Sequence, residues 1–191
     1  MVKNYKEVLY DNETLHTQNL TLRKFKKEDA PDIFEYGSDS AVLEYLIWEG
    51  FKTIDDAKNS IADYYWSKPG IFAIELNENK KCIGCIDLRI QPEHEKASFG
   101  YALNRQYWGK GYMTEALTAV LKLLFEEVKL NRVEATHYTG NEGSGKVMAK
   151  CGMEFEGIGK SEEKIKDIFR DVVHYGITKE RWFSLTGGPN A

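Results

Sequence analysis

Three strand-like runs follow one another with little between them and then lead into a long amphipathic segment, an order that few folds accommodate. The runs are GIFAIELN, KCIGCIDLRIQ and KASFGYALN, separated by the short polar breaks ENK and PEHE. Such breaks read as hairpin turns, and the three runs as an antiparallel meander. In GYMTEALTAVLKLLFEEV, Met113, Leu117, Val120, Leu121, Leu124 and Val128 recur at helical spacing. That spacing gives a helix one apolar face, suited to lying on a sheet.

The flanking segments extend the same architecture. LTLRKF at 20–25 alternates like a strand, and KKEDAPDIFEYGS after it places acidic residues and Pro31 in the first turn of a helix. TIDDAKNSIADYYW at 53–66 reads as a helix with Thr53 as N-cap and Ile54, Ala57, Ile61 and Tyr65 on one face. Behind the long helix come a strand at RVEATHYT, a short helix at SGKVMAKCG stopped by Gly152, and strand-like runs at roughly 153–164 and 168–182. No repeat or linker interrupts the chain. The reading is one α/β (α+β) domain over residues 1–183, with a frayed tail over 184–191.

With 191 residues and 42% hydrophobic side chains, the chain can bury a sizeable core. A net charge of −4 speaks against a nucleic-acid binder, which would present a basic stripe to phosphates. MVKNYKEVLYDNE lacks the apolar core of an export signal, and ALTAVLKLLF is too short and too interrupted by Lys122 to span a bilayer. A cytoplasmic location is expected. The three cysteines, Cys82, Cys85 and Cys151, form no framework. In a regular strand, the cysteines of CIGC would point to opposite faces and could not grip one ion, so no metal is expected.

Two glycine-bearing stretches could hold anions. TGNEGSGKVMAKCGM approximates a phosphate loop through Gly140, Gly145 and Lys146, but Val147 stands where a magnesium-binding hydroxyl belongs. In YALNRQYWGKGYMTEA, a strand runs through Leu103 to Gln106, then a turn with Gly109 and Gly111, then the long helix. Glycines there let backbone approach a ligand, and the helix N-terminus faces the same spot with unpaired N–H groups and a positive dipole end. A pyrophosphate suits this cradle; a plain turn is the alternative.

Gln106, Gly109 and Gly111 at a helix entry behind a meander resemble the acetyl-CoA site of the GNAT N-acetyltransferases, and more narrowly of the RimJ/RimL branch. The similarity runs from about residue 17 to 182, through TLRKFKKEDAPDIFEY, the central stretch, NEGSGKVMAKCGMEFEGIGK and FRDVVHYGITKERW. It implies a GNAT fold: a central, mixed, mostly antiparallel twisted sheet flanked by helices. It also implies acetyl-CoA as co-substrate, held by Leu103, Gln106, Trp108, Gly109, Lys110, Gly111, Tyr112, Met113 and Asn141. The false phosphate loop then becomes the family's Asn-x-x-Ser segment and short helix, with Asn141 at the splay of two central strands or capping the helix. Many relatives place an acidic Tyr where this chain has Met148, so the resemblance assigns the proton for the leaving thiolate to the Ser144 hydroxyl. It points to Glu163 as base. Because Glu162 and Glu163 are adjacent in a strand, only one is expected to enter the pocket. The oxyanion donor would be strand backbone near Leu103.

The implied reaction is direct acetyl transfer to a primary amine, foremost the N-terminal α-amine of a ribosomal or other protein. A small-amine acetyltransferase (polyamine, amino acid or aminoglycoside) and a non-catalytic acyl-CoA-binding module are the alternatives. Oligomeric state is left open, a homodimer included. His137 and His174 read as sheet residues, and Tyr45, Trp48, Phe51, Tyr64, Tyr65 and Trp66 mostly as packing, with one or two facing the acceptor.

Overall fold

A computed structural model describes residues 4–188. One eight-stranded sheet runs in the order β1-β2-β3-β4-β5-β6-β8-β7. The strands are β1 (Leu15–His16), β2 (Leu20–Arg23), β3 (Ile71–Leu76), β4 (Cys82–Gln91), β5 (Lys96–Leu103), β6 (Arg132–Tyr138), β7 (Glu154–Ile165) and β8 (Ile168–Thr178). All neighbours are antiparallel except β5 and β6. The helices are α1 (Tyr5–Asp11), α2 (Ala30–Gly37), α3 (Ser40–Leu43), α4 (Ile54–Ser60), α5 (Tyr112–Lys122), α6 (Glu142–Lys150) and α7 (Lys179–Thr186).

The sheet is buried on both faces because the meander carries apolar residues on both. Ile83, Ile86, Leu88, Phe99 and Leu103 meet Met113, Leu117, Val120 and Leu121 of α5 and Trp182 of α7 in the larger core. Each fully buried Leu or Val there stabilises the fold by about 1.5–3 kcal/mol. Ile33 and Tyr36 of α2, with Ala57 of α4 and Ile61 and Tyr65 of the π-helical turn that continues it, cover Ile71, Ala73, Cys82 and Ala102 on the other face. Thr53 caps α4 in a reciprocal box with Asp56, as the sequence predicts, whereas Ile54 is exposed. Arg23 fixes α2 to the sheet through a buried fork on Asp29, with both oxygens at 2.7 Å, and an Nε contact to Glu75 at 2.6 Å.

Three expectations change. The last strand ends at Thr178, not 182, because the Thr178 hydroxyl accepts from the Arg181 amide and starts α7. Ser184 and Thr186, assigned to the frayed tail, lie inside that helix; residues 189–191 fall outside the described residues. Cys82 and Cys85 do not point to opposite faces. Register shifts opposite Ile74 and Glu75, so the strand carries one extra residue and both cysteines pack in the α2–α4 core. Burial pushes the Cys85 thiol up to about 11, beside the Tyr36 and Tyr65 hydroxyls. No cluster of three or more His, Cys, Asp or Glu suited to a metal occurs among the described residues. Among them, no helix is long and apolar enough to cross a membrane.

Candidate active site

The one parallel pairing opens a gap in the sheet. β5 and β6 are in register only at Lys96–Arg132, Ala97–Val133 and Ser98–Glu134. Residues 99–103 and 135–138 then continue without pairing to each other, so backbone groups on the facing edges are released from the ladder. Asn104 donates its N–H to Ile83 O on the β4 side at 2.7 Å. Neighbouring amides in a strand point in opposite directions, so the Leu103 N–H faces the gap. Leu103 O accepts the Trp108 indole N–H at 2.8 Å, which ties the loop back to the strand end.

The cradle lies beyond that point. Gly111, at φ 86°, is the N-cap of α5 and supplies no side-chain bond to the first turn. The Glu115 amide is the first to find a helical acceptor, Gly111 O at 3.0 Å. The amides of Tyr112, Met113 and Thr114 therefore have no partner within the helix. A Cβ at Gly109 or Gly111 would meet nothing within 4 Å, so the approach is open. Glu115, whose carboxylate could neutralise the helix end, is turned away to accept from Asn19 N and Nδ2 at 2.7 and 2.9 Å.

Gln106, Trp108, Lys110 and Tyr112 surround the turn in different ways. Gln106 Nε2 donates to Glu35 Oε1 at 3.2 Å, an oxygen that also accepts from Asn104 Nδ2 at 2.9 Å. Lys110 Nζ lies over the Tyr107 ring, 5.2 Å from its centroid, and Tyr112 tilts against the same ring. Met113 is buried in the core, leaving only its backbone to face a ligand.

The second junction, from β6 into α6, is closed on itself. Asn141 Oδ1 accepts from the Ser144 amide at 3.3 Å and caps the helix. Met148 is buried, so its position offers no hydroxyl. A different phenol stands beside Ser144: the Tyr101 hydroxyl lies 2.7 Å from Ser144 Oγ and donates to Ser144 O at 3.2 Å. Burial raises the Tyr101 phenol far above its ordinary value, which keeps it protonated. Sequence reasoning missed this residue, although its alternation with Phe99 and Leu103 in FGYAL was available.

Glu163 sits on the opposite face of the sheet. Its Oε2 accepts the hydroxyl of Tyr138, the last residue of β6. Burial and this carboxylate raise the Tyr138 phenol. Glu162 Oε2 lies 2.7 Å from Nε2 of the His174 ring. His174 is the register partner of Thr136, two residues from Tyr138, so both carboxylates reach one side of the sheet. Simple alternation fails because register shifts between Gly159 and Glu163. Among the front aromatics, Tyr65 stacks on Phe25 with centroids 4.0 Å apart, and Trp66 Nε1 bonds Phe25 O. Tyr45 instead lies over the Arg170 guanidinium and beside Gly140.

The fold agrees with what comparison with known proteins finds. The family profile described as "Acetyltransferase (GNAT) domain" matches residues 19–154. This chain belongs to the GNAT acetyltransferase family. It is similar to p20 of Bacillus licheniformis, an uncharacterized N-acetyltransferase, at 32% identity over 89% of this chain and 98% of that one. A crystal structure of a GNAT-family acetyltransferase from Bacillus anthracis superposes with a TM-score of 0.80 at 32% identity, covering 87% of this chain and 99% of that one. The ribosomal protein uS5-alanine N-acetyltransferase of Escherichia coli is 34% identical over 83 residues, 44% of this chain and 43% of that one. The GNAT chain is accordingly an N-acetyltransferase.

Proposed function

We propose that this enzyme transfers the acetyl group of acetyl-CoA directly to a primary amine, foremost the N-terminal α-amine of a protein. GNAT domains use acetyl-CoA. The observation that carries the reading is the α5 N-terminus: its first amides are unpaired, its cap is glycine, and the space before it is open. That donor set fits a pyrophosphate. Leu103, Gln106, Trp108, Gly109, Lys110, Gly111, Tyr112, Met113 and Asn141 would hold the co-substrate, which supplies an activated acetyl thioester when bound.

Each remaining role belongs to a named atom. The Leu103 N–H, aimed into the gap between β5 and β6, stabilises the oxyanion of the tetrahedral intermediate. Ser144 Oγ gives its proton to the leaving sulfur as the C–S bond breaks and recovers one from solvent, and the Tyr101 hydroxyl, which stays protonated, holds Ser144 in place. Glu163 Oε2, oriented by Tyr138, takes the proton from the attacking amine. Asn141 keeps Ser144 in place by capping α6. No covalent enzyme intermediate is needed. The protein acceptor is supported by the similarity to the uS5-alanine enzyme.

A thiol-release screen across N-terminal peptides, polyamines and aminoglycosides tests the reading. Release with an α-amine peptide is the expected result. Release confined to polyamines or aminoglycosides would move the acceptor to the small-amine class. Tight acetyl-CoA binding with no release from any amine would favour a non-catalytic acyl-CoA-binding module.

A further inference from the structure

Arg170 and Glu163 are directly opposite each other in the β7–β8 ladder, and directly opposite residues share a face. A guanidinium and a carboxylate so placed ordinarily form a charge-assisted pair. Here they do not. Glu163 is engaged by the Tyr138 hydroxyl, and the Arg170 guanidinium lies over the Tyr45 ring, 5.5 Å from its centroid. Arg170 Nε is buried with no hydrogen-bond partner, and among the described residues no carboxylate lies within ion-pair distance of this side chain.

The location gives this orphaned cation its meaning. The Tyr45 hydroxyl would sit 3.0 Å from a Cβ at Gly140, the residue before Asn141, so Tyr45 reaches the turn that leads to Ser144. Tyr138 ends β6 on the open side of the gap. Arg170, Tyr45, Tyr138 and Glu163 thus form one group at the mouth of the candidate site, on the sheet face opposite Ser144. It offers a separated cation and carboxylate, held apart by two phenols. Nε lies buried behind the ring, and the two terminal amino groups, which make no hydrogen bond among the described residues, present a planar fork that matches a carboxylate. The flat Tyr45 ring holds the guanidinium without neutralising it.

The geometry points to Arg170 as an acceptor-specificity residue that binds a carboxylate carried close to the amine undergoing acetylation. Glu163 meets the amine end and Arg170 the carboxylate end. This inference rests on the acetyl-transfer reading above and narrows it. The carboxylate has two chemical sources, an acidic side chain just behind a peptide's N-terminal residue or the α-carboxylate of a free amino acid. The recognition chemistry is shared.

The test compares paired acceptors that differ in that charge, with each rate referred to the neutral-amine concentration set by the acceptor's own titration: Ala-Asp against Ala-Asn peptide amides, and free alanine against alaninamide. Thiol release is measured as kcat/KM with the wild type, Arg170→Met and Arg170→Lys. The wild type is expected to favour the carboxylate member of at least one pair by roughly 10- to 150-fold, through KM rather than kcat. Which pair shows the preference identifies the source. Arg170→Met should bring that ratio near unity, and Arg170→Lys, which keeps the charge without the fork, should leave an intermediate ratio and controls for a folding defect in the Met variant. Equal rates for both members of each pair in the wild type, or a preference that survives Arg170→Met, overturns the inference. If no acceptor releases thiol, the acetyl-transfer reading fails, and calorimetric titration of the Ala-Asp peptide and of free alanine still decides the role of Arg170: binding of either that is lost in Arg170→Met supports it, and no binding of either, or unchanged binding, overturns it.

Discussion

Two strand-to-helix junctions in this enzyme look alike as letters and differ as structures. Both carry glycines and a lysine at the mouth of a helix, GKG before α5 and GSGK within α6. At the first, Gly111 caps without a side chain, and the amides of the opening turn have no helical partner. At the second, Asn141 Oδ1 accepts from the Ser144 amide and its carbonyl from the Ser144 and Gly145 amides, which leaves only the first two amides of the turn without a partner among the described residues. Glycine content therefore does not mark an anion site; an absent cap does, because only unpaired N–H groups have capacity left for a ligand. The closed junction serves a different purpose and presents Ser144 to the Tyr101 hydroxyl.

The comparison predicts a division of labour. The largest effect should come from Ser144→Ala, with turnover falling ~10- to 1000-fold while acetyl-CoA affinity stays near the wild type and higher pH brings no rescue. Pre-steady-state kinetics beside calorimetry checks this. Full turnover in the variant would reduce Ser144 to a structural residue of α6 and shift the proton to Tyr101 or water.

Gly111→Val should show the reverse pattern. Its φ of 86° is strained for a branched side chain, at about 1–3 kcal/mol, and the new methyls would crowd the open approach. Acetyl-CoA affinity is expected to drop roughly 10- to 100-fold. An unchanged dissociation constant would mean that the uncapped turn holds nothing.

Asn141→Ala removes a cap, an expected loss of about 1 kcal/mol, or about 2–4 °C in melting temperature for a chain of this size. Its share in holding acetyl-CoA is expected to be the smaller one; if it instead weakens acetyl-CoA as much as Gly111→Val does, the two junctions are equal ligand sites and the contrast between them collapses. Glu163→Gln should be the mildest, a few-fold loss in turnover at pH 7. An α-amine with a pKa of ~7.7–8.0 is already about a tenth neutral there, and the loss should shrink as rising pH supplies more neutral amine. A constant loss across the pH range would assign Glu163 to binding rather than proton transfer.

Much of the fold was legible because its signals are local. The apolar stripe from Met113 to Val128, along α5 and the π-helical segment Leu123–Val128 that continues it, the Thr53 cap and the meander follow from spacing and turn chemistry within a few residues. The chain's own letters also showed where α5 begins. The end of the last strand was missed because the Thr178 cap starts α7 there, and the other errors fell where register decided the outcome. An extra residue opposite Ile74 and Glu75 placed Cys82 and Cys85 on one face, and the shift before Glu163 did the same for Glu162 and Glu163. A bulge depends on the partner strand, and strict alternation has no place for it. Tyr101 beside Ser144, Tyr138 beside Glu163 and Tyr45 over Arg170 join residues 43, 25 and 125 positions apart. The sequence by itself determined the meander, the long helix and the glycine turn that precedes α5, because those properties are set by near neighbours. Only the tertiary structure decided which hydroxyls flank the reacting groups and which charge is left without a partner, because side chains distant along the chain meet only once sheet register and the splay of β5 from β6 are in place.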